Sequence, residues 1–551
     1  MSSFTVPSAA NTVDFRWAGL AAAVLAALWF AALGQRALIN PDEGRYATIA
    51  LQMATSGDWV TPRLNGFLYF EKPPLQYWIG ALAFKAFGVS EFSARFWPGL
   101  AGFLTVLAIG FSAARRWGRE VGAQSFAIAG STVWIALNSH FLSLDAGLTL
   151  FLTLSLCAVL LAQQPGLAPA QRRRWIWLAW AAMAGATLSK GLIGILIPGT
   201  VLVLYSLWQR DLSVWRLHWL SGLAIFFALT APWFVLVEMR NPGFAQFFFI
   251  HEHFERYLTT EHRREGAWWY FVPYLVVGLL PWTTSLPWLL RGTGRAEDKR
   301  PRALLVTWIV FIFVFFSISG SKLPSYILPI FPALAMLIAL AIARTSAAAL
   351  RRHLLLPAAI WLVIGAAATQ SRRFASDGTP AEVVSAMGSV LLPAALIFLA
   401  GAALAWWLLG RGRSSAAVYS VAGAHLISLL MLMYAYDHYG QLRSSVAIAP
   451  VLQARLPADA PVFSLRGYDQ TLPFYLRRNV VLVDYVDEFA YGEEHEPGRI
   501  VPTLAAFSER WRGLPAAGAM MDANTYRSLQ AEGLPMTVVF EDVRRIAVVK
   551  P

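Results

Sequence analysis

The chain has 551 residues, 57% of them hydrophobic and only 14% charged, with a mean hydropathy of +0.52; a soluble globular protein carries about 25% charged residues, so that class is excluded. The formal net charge of +13 fits basic loops held against anionic lipid better than a nucleic acid partner, and none is expected. A single cysteine, Cys157, lies inside an apolar run and rules out an internal disulfide framework.

Many windows reach the ~20 apolar residues that cross ~30 Å of hydrocarbon. The first run, near Ala18 to Leu33, has neither a convincing cleavage site nor a clear basic flank and reads as a retained span. In chain order the expected spans are 17–35, 95–113, 121–138, 147–162, 175–189, 191–207, 217–237, 268–289, 303–319, 325–343, 354–369, 386–409 and 415–435, about thirteen in all. One set of connecting loops is basic: Arg115, Arg116 and Arg119; Arg172 to Arg174; Arg210 and Arg216; Arg291, Arg295, Lys299, Arg300 and Arg302; Arg344, Arg351 and Arg352; Arg411 and Arg413. With these loops inside, the N-terminus is also inside and the polar tail outside. The apolar run Pro73 to Phe87 is only about fifteen residues long and opens on prolines, so it is expected as a short re-entrant or interfacial helix on the outer face.

The outward loops carry the chemistry. The first reads Asn40-Pro41-Asp42-Glu43-Gly44-Arg45-Tyr46 and continues to Tyr69-Phe70-Glu71-Lys72-Pro73-Pro74. Pro41 followed by two carboxylates is also ordinary helix-start chemistry, and adjacent carboxylates on a helix point in different directions. Further polar groups recur at the same depth: Asp145 at the mouth of the fourth span, Lys190 at the outer end of the fifth, and Lys322 in Ser321-Lys322-Leu323-Pro324-Ser325-Tyr326. A lone lysine there would snorkel, whereas Lys72, Lys190 and Lys322 together suit a cationic cradle for phosphate. The loop from Pro242 to Arg264 holds His251-Glu252-His253. Two histidines two apart diverge on a helix and share a side only in an extended stretch, so a divalent metal completed by Glu71 and a solvated polar face both remain open. No Gly-rich nucleotide loop is present.

The polar tail changes composition at about Asp437. Beta-like runs at Val462 to Leu465, Val480 to Tyr485, Met536 to Phe540 and Ile546 to Val549 alternate with helical stretches at Asp469 to Arg478 and Asp522 to Glu532. This reads as a small α/β domain over 437–551, following a membrane domain over 1–436. It shows no constellation of its own, so a lid, scaffold or docking role is expected.

Taken together and in order, Asp42-Glu43-x-Arg45-Tyr46, Phe70-Glu71-Lys72-Pro73-Pro74-Leu75-x-Tyr77-Trp78, Asp145, Ser189-Lys190-Gly191 and Ser321-Lys322-Leu323-Pro324-x-Tyr326 resemble the bacterial aminoarabinose transferases (ArnT) that modify lipid A. These sit within the protein-O-mannosyltransferase-like superfamily of GT-C glycosyltransferases. The resemblance implies a polytopic all-α membrane protein of GT-C type with a small C-terminal periplasmic α/β domain, acting as a monomer in the bacterial inner membrane. It implies a donor sugar on undecaprenyl phosphate and an acceptor phosphate on lipid A or its precursor, joined by one inverting displacement. It also implies Asp42 as the principal catalytic carboxylate with Glu43 and Asp145 beside it. Arg45, Tyr46, Tyr69, Lys72, Lys190, Lys322 and Tyr326 would form the substrate-binding set, and Glu71, His251 and His253 the ligands of a zinc or magnesium ion.

Two alternatives frame that reading. A polyprenyl-phosphate-sugar transferase with another sugar, or with a protein or glycan acceptor, would use the same phosphate-binding cations. A lipid transporter or flippase would instead place paired charges near the midplane and show recognisable halves, and the segmentation shows neither.

Overall fold

The protein is represented by a computed structural model that describes residues 15–211, 216–255, 266–290 and 298–551, with backbone only for 15–18, 20–22 and 251–255. Among the described residues, eight helices are long and apolar enough to cross a membrane. They include α4 (Glu91–Trp117), α7 (Asp145–Ala162) and α10 (Trp219–Arg240), together with Lys299–Ile318, Pro324–Ile342, Ala347–Thr369, Ala381–Gly410 and a last helix from Ser414.

The other five expected spans coincide with shorter, broken or more polar helices, for identifiable reasons. Helices α1 (Phe15–Ala31) and α9 (Ile193–Gln209) are apolar but have 17 residues each. Helix α8 (Pro169–Lys190) has the length but opens on Arg172 to Arg174. The expected span 121–138 is interrupted at Thr132, whose extended backbone separates α5 (Arg119–Ser131) from α6 (Val133–Ser139). The expected span 268–289 is likewise not one helix: Phe271–Gly278 gives way to a 3-10 segment, Thr283–Leu290. Backbone that leaves the helical ladder at this depth is tolerated because protein surrounds it; Trp282 and Phe271 are fully buried.

Contacts between loops place the basic connections at one end of the bundle. Trp117 Nε1 donates to Asp298 Oδ1 at 3.0 Å, and Arg344 lies 3.4 Å from the same carboxylate. Arg300 pairs with Asp211 at 2.9 Å, and Gln164 donates to the Arg115 carbonyl at 2.9 Å. The alternation of loop chemistry in the sequence is therefore an alternation between two ends.

The other end is built from α2 (Asp42–Ser56), the hairpin β1–β2 (Arg63–Leu64 and Phe67–Leu68) and α3 (Leu75–Phe87), with the tail above them. Helix α2 stops at Gly57, which takes φ +74° and donates its N–H to the Met53 carbonyl; a left-handed terminus of this kind favours glycine. The run from Pro73 forms the expected short helix and stops at Gly88. Helix α4 then opens on a capping box, Ser90 with Ser93.

The tail folds as a five-stranded mixed sheet in the order β4-β3-β5-β7-β6. Strand β3 (Val462–Leu465) is parallel to both β4 (Val481–Val483) and β5 (Gly518–Met521). Strand β7 (Ile546–Val549) is antiparallel to β5 and to β6 (Thr537–Glu541). The last long helix runs to Gly440 before the tail begins. Four strands fall on the runs expected from sequence, and β5 was not anticipated because Gly518-Ala519-Met520-Met521 lacks β-branched residues. The tail does not stand apart: Leu472, Phe474, Val480, Leu482 and Phe489 share one apolar core with Leu38, Tyr46, Ile49, Phe67 and Phe84.

Candidate active site

Asp42 is the first residue of α2, where the unpaired amides of a helix N-terminus favour a carboxylate. Its side chain is 51% exposed and meets Arg45 Nη1 at 2.8 Å, one helical turn on. Arg45 Nε in turn donates to Glu488 Oε2 at 2.6 Å, and Gln470 Nε2 donates to Glu488 Oε1 at 2.7 Å. Burial pushes the Glu488 carboxyl above its ordinary range, against the pull of Arg45 and Gln470. Gln470 and Glu488 lie on the loops after β3 and β4, beyond the carboxyl ends of two adjacent parallel strands, where α/β sheets commonly present functional groups.

Glu43 behaves oppositely to its neighbour. Its carboxylate is buried and accepts from Arg95 Nε at 2.6 Å and Nη2 at 2.7 Å, and from the Ile39 and Leu142 amides at 3.1 and 3.0 Å. Arg95, with 0% exposure, also donates to the carbonyls of Leu33, Arg36 and Ala37. Burial alone would raise the Glu43 carboxyl, but the Arg95 charge and hydrogen bonds, with Arg36 and the Leu142 amide, hold it below its ordinary value. A carboxylate committed to four donors has no lone pair for substrate. Glu43, placed with the catalytic carboxylates by resemblance, is tied in this structure to Arg95 and to the loops at Ile39 and Leu142.

Gly44 explains itself through the tail. A Cβ there would lie 2.5 Å from the Gln470 carbonyl carbon and the Thr471 nitrogen, so α2 can approach that backbone only as glycine. Thr48 Oγ1 donates to the Gln470 carbonyl at 3.2 Å, and the Thr471 amide donates to Asn40 Oδ1 at 3.2 Å.

Tyr46 and Tyr69 are buried beside this group, within electrostatic reach of Arg45 and Glu71. Burial pushes both phenols well above their ordinary value, so they stay protonated and can donate. Lys72 Nζ donates to the Glu71 carbonyl at 2.6 Å and stands 3.8 Å from the Glu71 carboxylate.

A second group is reached through residues 139–145, since Leu142 is bonded to Glu43. Asp145 opens α7, Lys190 closes α8, and the two form a short ion pair, mostly buried. Lys190 Nζ also sits 4.6 Å from the centre of the Tyr326 ring, a cation–π contact. Lys322 is buried and donates to the Ser319 carbonyl at 2.6 Å. Asp42, Arg45, Tyr46, Tyr69, Glu71 and Lys72 thus form one neighbourhood and Asp145, Lys190 and Tyr326 another, while Lys322 is tied to its own turn.

Of the expected metal ligands, only Glu71 can be placed. His251 and His253 lie on a π-helical segment, Gln246–Glu255, but their side chains are outside the described residues. Among the described residues no three of His, Cys, Asp and Glu are grouped as a metal requires, and Lys72 already faces Glu71.

Arg95, Gln470 and Glu488 were not singled out from the sequence. An arginine five residues into a spanning helix is a signal that it has a buried partner, and Asp487-Glu488 between Val486 and Phe489 marks an acidic loop after a strand. Neither pattern says which distant residue it meets.

Residues 15–248 match the family model described as dolichyl-phosphate-mannose-protein mannosyltransferase, and 448–550 match the aminoarabinose transferase C-terminal domain. The crystal structure of ArnT from Cupriavidus metallidurans bound to undecaprenyl phosphate superposes with a TM-score of 0.91 at 37% identity, covering 97% of this chain and 98% of that one. Its apo form gives a TM-score of 0.90. Undecaprenyl phosphate-alpha-4-amino-4-deoxy-L-arabinose arabinosyl transferase 2 of Pseudomonas fluorescens is 32% identical over 67% of this chain. The corresponding Pseudomonas aeruginosa transferase is 37% identical over 55% of it. The matched stretches span 63% and 56% of the length of those two relatives.

Proposed function

The chain belongs to the ArnT family of aminoarabinose transferases, and from that premise we propose that it moves 4-amino-4-deoxy-L-arabinose from undecaprenyl phosphate to a phosphate of lipid A. The observation that carries the reading is the half-exposed Asp42, held by Arg45, which is itself clamped by Glu488 from the C-terminal domain. The donor class named for the solved and curated relatives supports it, as does a site built from cations at helix ends rather than from a nucleotide-binding loop.

In the reaction, an oxygen of the acceptor phosphate attacks C1 of the sugar, and the C1–O bond to undecaprenyl phosphate breaks with the electron pair leaving on the phosphate. The acceptor is ionised near neutral pH, so no proton has to be removed first. Lys72, Arg45 and Lys190 stabilise charge on the departing phosphate, the term such sites exploit most. Asp42 balances positive charge on the amino sugar and on the oxocarbenium-like centre, and a single displacement inverts that centre. Tyr46 and Tyr69, protonated, donate to sugar or phosphate oxygens. Glu43 positions Asp42 through the loop it shares with Arg95. A zinc or magnesium ion would draw on Glu71, His251 and His253, but no step of this reaction is routed through it. The basic loops lie at the cytoplasmic end of a monomer in the inner membrane, and the C-terminal domain faces the periplasm.

The test is transfer by the purified full chain from undecaprenyl-phosphate aminoarabinose to lipid A, read by mass spectrometry. Sugar-modified lipid A is expected, and none with Asp42→Asn. No transfer by monodisperse, folded protein with these substrates overturns the assignment. Transfer to a different acceptor alone would retain the enzyme class and replace the acceptor.

A further inference from the structure

On the face that carries the C-terminal domain there is a second cationic feature, at the opposite end of α2 from Asp42. A cavity of about 560 Å³ lies between the last turns of α2, the β1–β2 hairpin and the segment 473–479. Helix α2 has 15 residues, so at 1.5 Å per residue its ends are about 21 Å apart. Three arginines line the cavity, Arg63, Arg477 and Arg478, and no carboxylate does. Arg63 is spent on a bidentate pair with Glu496, at 2.7 and 2.8 Å.

The other two are fastened by carbonyls, which orient a guanidinium without neutralising it. Arg478 Nη1 donates to Ala458 and Ala460, each at 2.9 Å, while its Nε is buried among the described residues with no partner. Arg477 Nη2 donates to the Val89 carbonyl at 3.0 Å. Glu91 and Asp459 are within electrostatic reach of Arg477 and Arg478 respectively, but neither closes an ion pair with them.

Val89, which lines the cavity, sits between α3, whose Phe87 is 55% exposed, and α4, which begins at Glu91 and is long and apolar enough to cross a membrane. An exposed aromatic side chain at the end of a short helix, two residues from the carbonyl that holds Arg477, is a pattern of interfacial lipid contact. We propose that this cavity binds the phosphate of an anionic bilayer phospholipid, with Arg477 and Arg478 on the headgroup and Phe87 beside its glycerol and acyl region. Guanidinium–phosphate pairing supplies the selectivity for charge, and the apolar ring favours a lipid over soluble phosphate.

The test uses the full chain in detergent, offered phosphatidylglycerol and phosphatidylcholine in equal amounts and analysed by native mass spectrometry. The wild type is expected to retain phosphatidylglycerol about tenfold over phosphatidylcholine. An Arg477→Gln, Arg478→Gln double variant should lose that preference, and the paired Lys variant should keep most of it. Arg477→Gln alone, at an exposed position, should lower the preference about threefold and serves if the double variant misfolds. Equal retention of the two lipids by the wild type, or a preference unchanged by either Gln variant, overturns the proposal. Displacement by inorganic phosphate at equal concentration also overturns it, in favour of a soluble-anion pocket.

Discussion

Asp42 and Glu43 are adjacent carboxylates with opposite predicted responses to the loss of charge. In Glu43→Gln, the amide nitrogen must face one of four donors that the carboxylate now accepts, at 2.6, 2.7, 3.0 and 3.1 Å. Arg95 is left charged, fully buried and without its counter-ion. Removing one partner of a buried pair costs roughly 3–5 kcal/mol, a large part of a typical stability of about 5–15 kcal/mol. Asp42 is half exposed, and the loss of its contact with Arg45 should cost no more than about 1 kcal/mol. Cys157 is the chain's single cysteine and is buried, so a thiol-reactive fluorogenic dye reports unfolding as detergent-solubilised protein is heated. Asp42→Asn should unfold near the wild-type temperature with transfer lost, and Glu43→Gln well below it. Replacing both Glu43 and Arg95 by Met and Leu should not restore the wild-type temperature, because the carbonyls of Leu33, Arg36 and Ala37 then lose their donor and the amides of Ile39 and Leu142 their acceptor, at about 1–3 kcal/mol each. If Glu43→Gln unfolds with the wild type while Asp42→Asn does not, the burial argument is refuted.

Gly44→Ala should loosen the C-terminal domain, since its methyl would meet the backbone at Gln470 and Thr471. Overpacking of this kind costs about 1–3 kcal/mol, and faster limited proteolysis of residues 448–550 is the readout. Acid should act through Glu43, whose folded carboxyl is held below its ordinary value of 4.5. Folding then favours the ionised form, so this stabilisation is complete above that value and is lost as pH falls through the lower folded one. The unfolding temperature should begin to drop as pH falls below 4.5, and less so in Glu43→Gln; equal slopes would remove Glu43 as the cause. Transfer is expected to survive exhaustive chelation, because Lys72, Arg45 and Lys190 carry the phosphate charge. A loss restored by zinc or by magnesium would bring Glu71, His251 and His253 into the mechanism.

What was legible in the sequence follows how local the cause is. Hydropathy and loop charge located the eight described helices long enough to span because burial in hydrocarbon acts residue by residue, and they located α3 because Pro73 and Gly88 punctuate it. The breaks at Thr132 and near Pro281 were hidden, since apolar composition continues through them and only surrounding helices make the departure affordable. The motif Asp42-Glu43-x-Arg45-Tyr46 singled out these residues but not the division between its two carboxylates, one half exposed and one buried. That division depends on Arg95, 52 residues away, and Glu488, 443 residues from Arg45. Pairings at such separations leave no trace in spacing. The tail shows no constellation of its own for the same reason: Glu488 and Gln470 reach α2 from separate loops.

The cations proposed to hold phosphate are all occupied at rest. Lys190 pairs with Asp145, Lys72 faces Glu71, and Arg45 is shared by Asp42 and Glu488. Unpaired charges at such partly buried positions would be costly, so these carboxylates keep the empty site folded. Phosphate must therefore enter by exchange rather than simple addition. In the proposed reaction the exchange is asymmetric at Arg45. Asp42 holds it from an exposed position and can be given up, whereas Glu488, buried and itself fixed by Gln470, keeps the guanidinium in place. A donor phosphate that takes over Nη1 of Arg45 would release Asp42 toward the sugar at the moment its charge is needed. On this argument Glu488 is what allows one arginine to bind the leaving group and arm the carboxylate without losing its own position, and the C-terminal domain is required because it supplies that second hold.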